Sequence, residues 1–430
     1  MDANVQSREE AESPKESGVS RLRLGVFLGV LGGLVVLLTY LGGWALPVVL
    51  LGIVSVVAGH EFGHFIVAKR AGMKVTDYFV GFGPVVWSAT IGETRYGLRA
   101  FLIGGYVKVI GMTWEDKVDE ADEARTYRSK PTWKKVLFAS GGPLMNGVMA
   151  IVLAWVVLAG VGWPTANNVA IAQAATWNGA KSPAAAAGLA AGDHVVSVDG
   201  KTVRSVQQIG NIIESRDGKA VTLVVSDNGV TKSFSVKPVD ARSITVKGVA
   251  LATGKKPDWI IGVDLYNPSS RENVLVGLGR AVNEIGGTTV ASVAGIAHVF
   301  SPHEFISLFR QIFMPGHVSG ATKASRPESV IGVVRLAVQS SSDGAGVLLV
   351  ILASVNVFVG LFNLLPILPL DGGYVSLAVY ERIRSRRGKV HHSDIRKLTP
   401  VIAAFVSILI VLFASTLYLD IVSPLANPFH

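Results

Sequence analysis

From Leu24 to Gly59 the chain carries no charged residue, a stretch well beyond the roughly 20 apolar residues with which one helix crosses a bilayer. In lipid such a run is either one very long helix or two spans, and Gly42, Gly43 and Pro47 interrupt it. The reading is a first span over 24–41 and a second over 45–69. Arg21 and Arg23 ahead of the first would also suit a signal peptide, but no small-residue cleavage site with a polar mature start follows. Further uncharged runs cover 136–163, 344–370 and 398–419, which makes five spans. Of the 430 residues only 17% are charged, below the quarter usual for soluble domains. The absence of cysteine excludes disulfides, zinc ribbons, iron–sulfur clusters and cysteine nucleophiles. Any metal therefore rests on His, Asp or Glu.

The net charge of +9 fits either nucleic acid or a membrane surface, and position decides. The basic residues flank the apolar runs, so a lipid bilayer is the partner and nucleic acid is not. Lys69, Arg70, Lys74, Lys130, Lys134 and Lys135 lie between spans two and three, and ERIRSRRGKVHHSDIRK lies between spans four and five. Lys/Arg-rich short loops stay in the cytoplasm. The N-terminal tail (1–23), the acidic connector (113–132) and the basic loop (374–397) are then cytoplasmic, and the long region after span three is outside. His391 and His392 read as solvated.

Residues 60–64 read HEFGH. On a helix His60 and His64 stand one turn apart on one face, where both imidazoles reach one Zn²⁺, with Glu61 beside them as general base. Ionisable groups inside a span are costly enough to be functional by default. A catalytic zinc takes three protein ligands and keeps a position open for water. Asp371 is a candidate third ligand: it closes NLLPILPLDGG at 363–373, where two prolines and a Gly pair must break the helix, and non-helical backbone at that depth is tolerated around a cavity. His60 lies about 22 Å along span two from its outer end, near the cytoplasmic end of span four where Asp371 sits. The plainer reading of Asp371 is a solvated helix cap.

HEFGH in one span, GGPLMN at 141–146 in the next and NLLPILPLDGG in a later one resemble the site-2 protease family of intramembrane zinc metalloproteases. YFVGFGP, IGGYVKVIGM and KPTWKK extend the likeness over most of the chain and are similar to its bacterial RseP-like branch, in an actinobacterial form. The resemblance implies that His60, His64 and Asp371 hold Zn²⁺, that Glu61 is the catalytic base, and that Asn363 and Asn146 lie near the active site, binding the substrate backbone or polarising its carbonyl. It also implies a place in the bacterial cytoplasmic membrane, with single-span membrane proteins as substrates. An upstream site-1-type protease trims them first, as for anti-sigma factors, and remnant signal peptides are a second class. Two departures stand out: the span over 24–41 is added to the family's minimal core, and Leu368 occupies a place that is often proline. Neither removes a ligand.

The segment 75–112 is rich in glycine and β-formers and alternates in TRYGLRAFLIGGYVKVIGM, which predicts membrane-associated hairpins. By the resemblance they lie beside the active site, where a strand edge holds a scissile peptide extended. Outside, 165–268 has soluble composition. SPAAAAGLAAGDHVVSVDGKTV at 182–203 looks like the core of one bacterial PDZ domain, whose groove accepts a peptide as an added strand. The turn at Asp227, Asn228 and Gly229 separates two strands, and His194 is read as packing or surface. The stretch 269–343 shows no domain signature; 272–300 suits a weakly amphipathic helix on the outer membrane surface or a short buried helix, and 302–327 a linker. The predicted architecture is a polytopic α-helical membrane protein with spans at 24–41, 45–69, 133–163, 344–373 and 398–420, a β-rich hairpin region and one extracytoplasmic PDZ domain of α+β type. A catalytically silent PDZ-bearing scaffold is the alternative, and it would have lost a ligand or the base. A metal transporter would show acidic or His residues across several spans, and the uncharged runs 24–41, 136–163 and 398–419 have none.

Overall fold

The computed structural model describes residues 21–112, 116–164, 169–177, 180–227, 229–246, 249–250, 257–266, 268–313, 327–385, 391, 393 and 395–422. Outside the described residues lie most of the N-terminal tail, Trp114 of the acidic connector, Asn228, much of the expected linker, the centre of the basic loop, His392 and the end of the C-terminal tail. The chain divides into two units, Met1–Val157 with Val274–His430, and Leu158–Asn273.

The first unit opens with α1 (Arg21–Gly42) and α2 (Ala45–Arg70), parted at Gly43, whose φ of +67° suits a residue without Cβ. Lys69 and Arg70 occupy the last turn of α2, where positive charge complements the helix dipole. Strands β1 (Val75–Ile91) and β2 (Thr94–Val109) then form an antiparallel hairpin, with Ile91 opposite Thr94 and Ser88 opposite Gly97. The start of β1 has two neighbours: Phe79 is opposite both Gly97 and Tyr106, and Val80 opposite both Leu98 and Gly105. The hairpin is fastened to the end of α2 by an apolar cluster of Ala68, Met73, Val75, Val109, Tyr127 and Phe138. At its turn Glu93 accepts from Lys69 at 2.8 Å and from Arg125 at 2.7 Å. The third uncharged run is two helices, α3 (Thr132–Ala139) and α4 (Gly141–Trp155), followed by a π-helical turn at Val156–Val161. The break has a packing reason. A Cβ on Gly141 would lie 2.8 Å from the Gly63 carbonyl oxygen of α2, so only glycine lets the two backbones approach this closely.

The second unit contains β3 (Val169–Ala174), α5 (Pro183–Ala187), β4 (His194–Val198), β5 (Lys201–Thr202), α6 (Val206–Ser215), β6 (Val221–Asp227), β7 (Val230–Val236) and β8 (Val263–Tyr266). The main sheet runs β7-β6-β4-β3-β8, with β5 paired to β4. Alternation along β6 buries Val221, Leu223 and Val225, the period of two that a half-buried strand requires. Ser182 and Ser205 cap α5 and α6, their hydroxyls accepting from Ala185 and Gln208 N–H. The unit is closed at its base, where the Glu272 N–H donates to the Leu158 carbonyl at 2.9 Å and Trp163–Pro164 pairs with Ser269–Ser270.

The first unit resumes with α7 (Val274–Val299), α8 (Pro302–Phe313), α9 (Val330–Gln339), α10 (Ala345–Asn363), α11 (Asp371–Arg384) and α12 (Thr399–Val422). α8 occupies ground expected for a linker. Ser301 caps it, accepting from Glu304 N–H, and Ile306, Phe309 and Phe313 recur at helical spacing, which outweighs the Pro- and Ser-rich composition of the stretch. α4 packs against α2, α7 and α10. Among the described residues four helices are long and apolar enough to cross a membrane: Ala45–Arg70, Gly141–Val161, Ala345–Asn363 and Arg396–Val422. In α1, the stretch Gly29–Gly42 is a shorter apolar helix. The chain is thus a multi-pass helical membrane protein with a β-rich region.

Candidate metal centre

α2 runs unbroken through His60–His64, and 3.6 residues per turn bring both imidazoles to one face. Asp371 arrives from a different part of the chain. α10 stops at Asn363, Leu364–Leu370 form turns, and α11 starts at Asp371. Within these turns the Leu368–Pro369 peptide is cis. Gly372 and Gly373 fold α11 tightly against the loop; a Cβ on Gly373 would lie 2.6 Å from the Ile367 carbonyl carbon. Oδ2 of Asp371 then stands 3.0 Å from His60 Nε2 and 3.2 Å from His64 Nε2, and the two nitrogens are 3.3 Å apart.

These three atoms fit a metal. Tetrahedral ligands on Zn²⁺ at about 2.1 Å lie roughly 3.4 Å from one another, close to the separations found. The other nitrogen of each ring is oriented from behind. His64 Nδ1 donates to the Phe138 carbonyl oxygen at 2.8 Å, which leaves Nε2 as the lone-pair nitrogen. His60 Nδ1 faces the amide of Asn146, 3.3 Å from Nδ2. Asn146 is fully buried, and its Oδ1 has no hydrogen-bond partner. A metal on Nε2 requires the proton on Nδ1, and a half-turn of the Asn146 amide puts that orphaned oxygen on the N–H. With the amide so turned, His60 Nδ1–H donates to Asn146 Oδ1 and Nε2 is the lone-pair nitrogen of His60, as it is of His64. Gly142 forms one wall: a Cβ there would lie 2.5 Å from both Nε2 atoms.

Glu61 follows His60 on the same helix and lies against the hairpin. A Cβ on Gly105 would be 2.7 Å from Glu61 Cγ and 2.9 Å from the Phe79 carbonyl oxygen, so β2 passes directly over the carboxylate. Tyr78 donates to the Ala58 carbonyl at 3.0 Å, and burial together with the negative charge of Glu61 pushes its hydroxyl up to about 12. Asn363 ends α10 with its Nδ2 donating to the Val359 carbonyl at 2.9 Å. Asn146 faces His60. Sequence reasoning did not find the Phe138 carbonyl, Gly142 or Gly105. It also passed over Asn356, fully buried within α10 with Oδ1 unpartnered, although an amide inside an apolar span is itself a signal.

The profile of peptidase family M50 matches residues 48–409. Zinc metalloprotease Rip1 of Mycobacterium tuberculosis is 32% identical over 404 residues, covering 88% of this chain and 96% of its own. Zinc metalloprotease Rip1 of Mycolicibacterium smegmatis is 28% identical over 412 residues, with the same coverage of 88% and 96%. Among solved structures, the PDZ domain of an SdrC-like protein from Listeria monocytogenes covers 24% of this chain and 90% of its own, at 22% identity and a TM-score of 0.18. With its match running through His60, His64 and Asp371, the residues of the candidate metal cluster, the chain belongs to peptidase family M50, the site-2-type zinc metalloproteases.

Proposed function

We propose that the protein is an intramembrane endopeptidase that cuts single-span membrane proteins in or near their transmembrane segments, with Zn²⁺ held by His60, His64 and Asp371. The observation that carries this reading is the convergence of three ligand atoms from two separate helices, α2 and α11, all within 4.8 Å of one another, beside a carboxylate that a strand crosses. Bound Zn²⁺ supplies a Lewis acid for the scissile carbonyl and its attacking water. Glu61 takes the proton from that water on its carboxylate and returns it to the leaving amine nitrogen. Phe138 and Asn146 hold the imidazoles in the tautomer that presents Nε2. The β2 segment beginning at Gly105 has Asp77–Val80 on one side; its other edge accepts the substrate as an added strand and fixes the scissile carbonyl beside Glu61. Asn363 retains one amide N–H with which to hold the substrate backbone.

An intact helix hides its carbonyls, so substrates whose helices are broken by glycine or proline are preferred. The second unit is read as a PDZ domain, a reading supported by its sheet order and two capped helices, and it screens substrates by size. Those admitted have been trimmed by an upstream protease, as anti-sigma factors and remnant signal peptides are. The basic loop and the site face the cytoplasm. The test is to incubate the purified full chain with a panel of single-span membrane proteins, with and without a zinc chelator. Cleavage by wild type but by neither the chelated protein nor Glu61→Gln is expected. No cleavage of any panel member by zinc-loaded wild type would favour a silent scaffold.

A further inference from the structure

Behind the loop that carries Asp371 lies a cavity of about 590 Å³, within the range of about 300–1,000 Å³ usual for small-molecule sites. Its floor is apolar, formed by Ile367 and Leu368 of the loop, Leu377 of α11 and Ile402 of α12. Its rim is polar and cationic. Arg384 ends α11 and Lys397 precedes α12; both line the opening, both are exposed, and among the described residues neither forms an ion pair. Ser393 also lines it, and its Oγ is buried with no hydrogen-bond partner among the described residues. Tyr380 and His391 pack edge to face beside them, ring centroids 5.7 Å apart.

Two cations and an unused hydroxyl around an apolar well ask for a ligand with an anionic head and a hydrocarbon body. The position selects the same chemistry. Lys397 sits immediately before the apolar run of α12, where a span meets the headgroup layer and basic side chains attract anionic lipid. A soluble phosphate compound has no use for the floor, and a neutral lipid has none for the cations. We propose that this cavity binds one anionic phospholipid, with its phosphate at Arg384, Lys397 and Ser393 and the upper part of an acyl chain over Leu368 and Leu377. This site is separate from the metal centre, and its existence does not depend on which peptide bonds the enzyme cuts.

The full chain, delipidated in neutral detergent, is titrated with dioctanoyl phosphatidylglycerol and with dioctanoyl phosphatidylcholine, and bound lipid is counted by native mass spectrometry. Phosphatidylglycerol is expected to bind more tightly. Arg384→Gln with Lys397→Gln should weaken it about 30-fold while leaving phosphatidylcholine unchanged, as expected for two interfacial basic residues. Equal phosphatidylglycerol binding by wild type and the double variant overturns the proposal. Inorganic phosphate or glycerol 3-phosphate binding as tightly as the lipid also overturns it, since the ligand would then be a free phosphate. Leu377→Trp fills the floor and spares both cations. It should also abolish lipid binding while bound zinc is retained, and undiminished binding by that variant would reject the site.

Discussion

The carbonyl oxygen of Phe138, in the last turn of α3, accepts a hydrogen bond of 2.8 Å from Nδ1 of His64 on α2, 74 residues away. A backbone acceptor cannot be mutated away, and it commits His64 to the tautomer whose Nε2 faces Asp371. The orientation of the His64 imidazole is therefore tied to the contact between α2 and α3, through the cluster that contains Ala68 and Phe138. Phe138→Ala leaves that carbonyl in place but loosens its setting, and should lower zinc affinity without touching a ligand.

The ligands and the base should separate cleanly. His60→Ala, His64→Ala or Asp371→Ala is expected to lose both zinc and cleavage. Glu61→Gln should keep zinc and lower turnover by at least about 10²–10⁴-fold. Metal analysis beside a cleavage assay reads both, and full zinc with full turnover in Asp371→Ala would remove Asp371 from the site.

Asn146 acts on His60 from behind, and supporting partners of metal ligands typically contribute about 10–100-fold in metal affinity or activity. Asn146→Ala should show a loss of that size in zinc affinity, and Asn146→Asp, which keeps an acceptor oxygen, should recover part of it. A role confined to substrate would raise KM and leave zinc affinity unchanged.

The two glycines that face the site should fail differently. A methyl at Gly142 meets both Nε2 atoms, so Gly142→Ala should expel the metal. A methyl at Gly105 meets Glu61, so Gly105→Ala should retain zinc while reducing kcat. Zinc stoichiometry alone discriminates the two.

Acid should loosen the hairpin turn. Hydrogen bonds from Lys69 and Arg125 hold Glu93 down to about 2, against its ordinary value of 4.5. A carboxylate with a depressed folded value contributes stability that is complete above the unfolded value and is lost as pH falls through the folded one. The gap in thermal midpoint between wild type and Glu93→Gln should therefore be constant above about pH 5 and shrink from pH 4.5 toward 2. A gap that widens on acidification would contradict the pairing. Because both partners are partly exposed, added salt should narrow the gap at neutral pH.

Legibility in the sequence followed the kind of group involved. His60, His64 and Glu61 could be placed because one helical turn links them, and Asp371 because prolines and paired glycines announce a broken helix. The Phe138 contribution is a main-chain oxygen, which every residue possesses and no motif marks. Asn146 stands out in its motif, but its partner lies 86 positions away, and the close approach of Gly63 and Gly141 helps bring the two helices near enough to join them. The same approach explains why one uncharged run is two helices. Pro302–Phe313 was obscured by composition: proline and serine suggest a linker when averaged, yet at a helix start they are capping residues.

The closure at the base of the second unit, where Leu158 and Glu272 share a hydrogen bond and Trp163–Pro164 pairs with Ser269–Ser270, makes that unit a cassette. Its two ends are neighbours, so exchanging it for another folded domain with adjacent termini demands little new loop, and loop-closure cost grows only slowly with length. The peptidase spans can then keep one architecture while the inserted module is replaced, without any change at His60, His64 or Asp371.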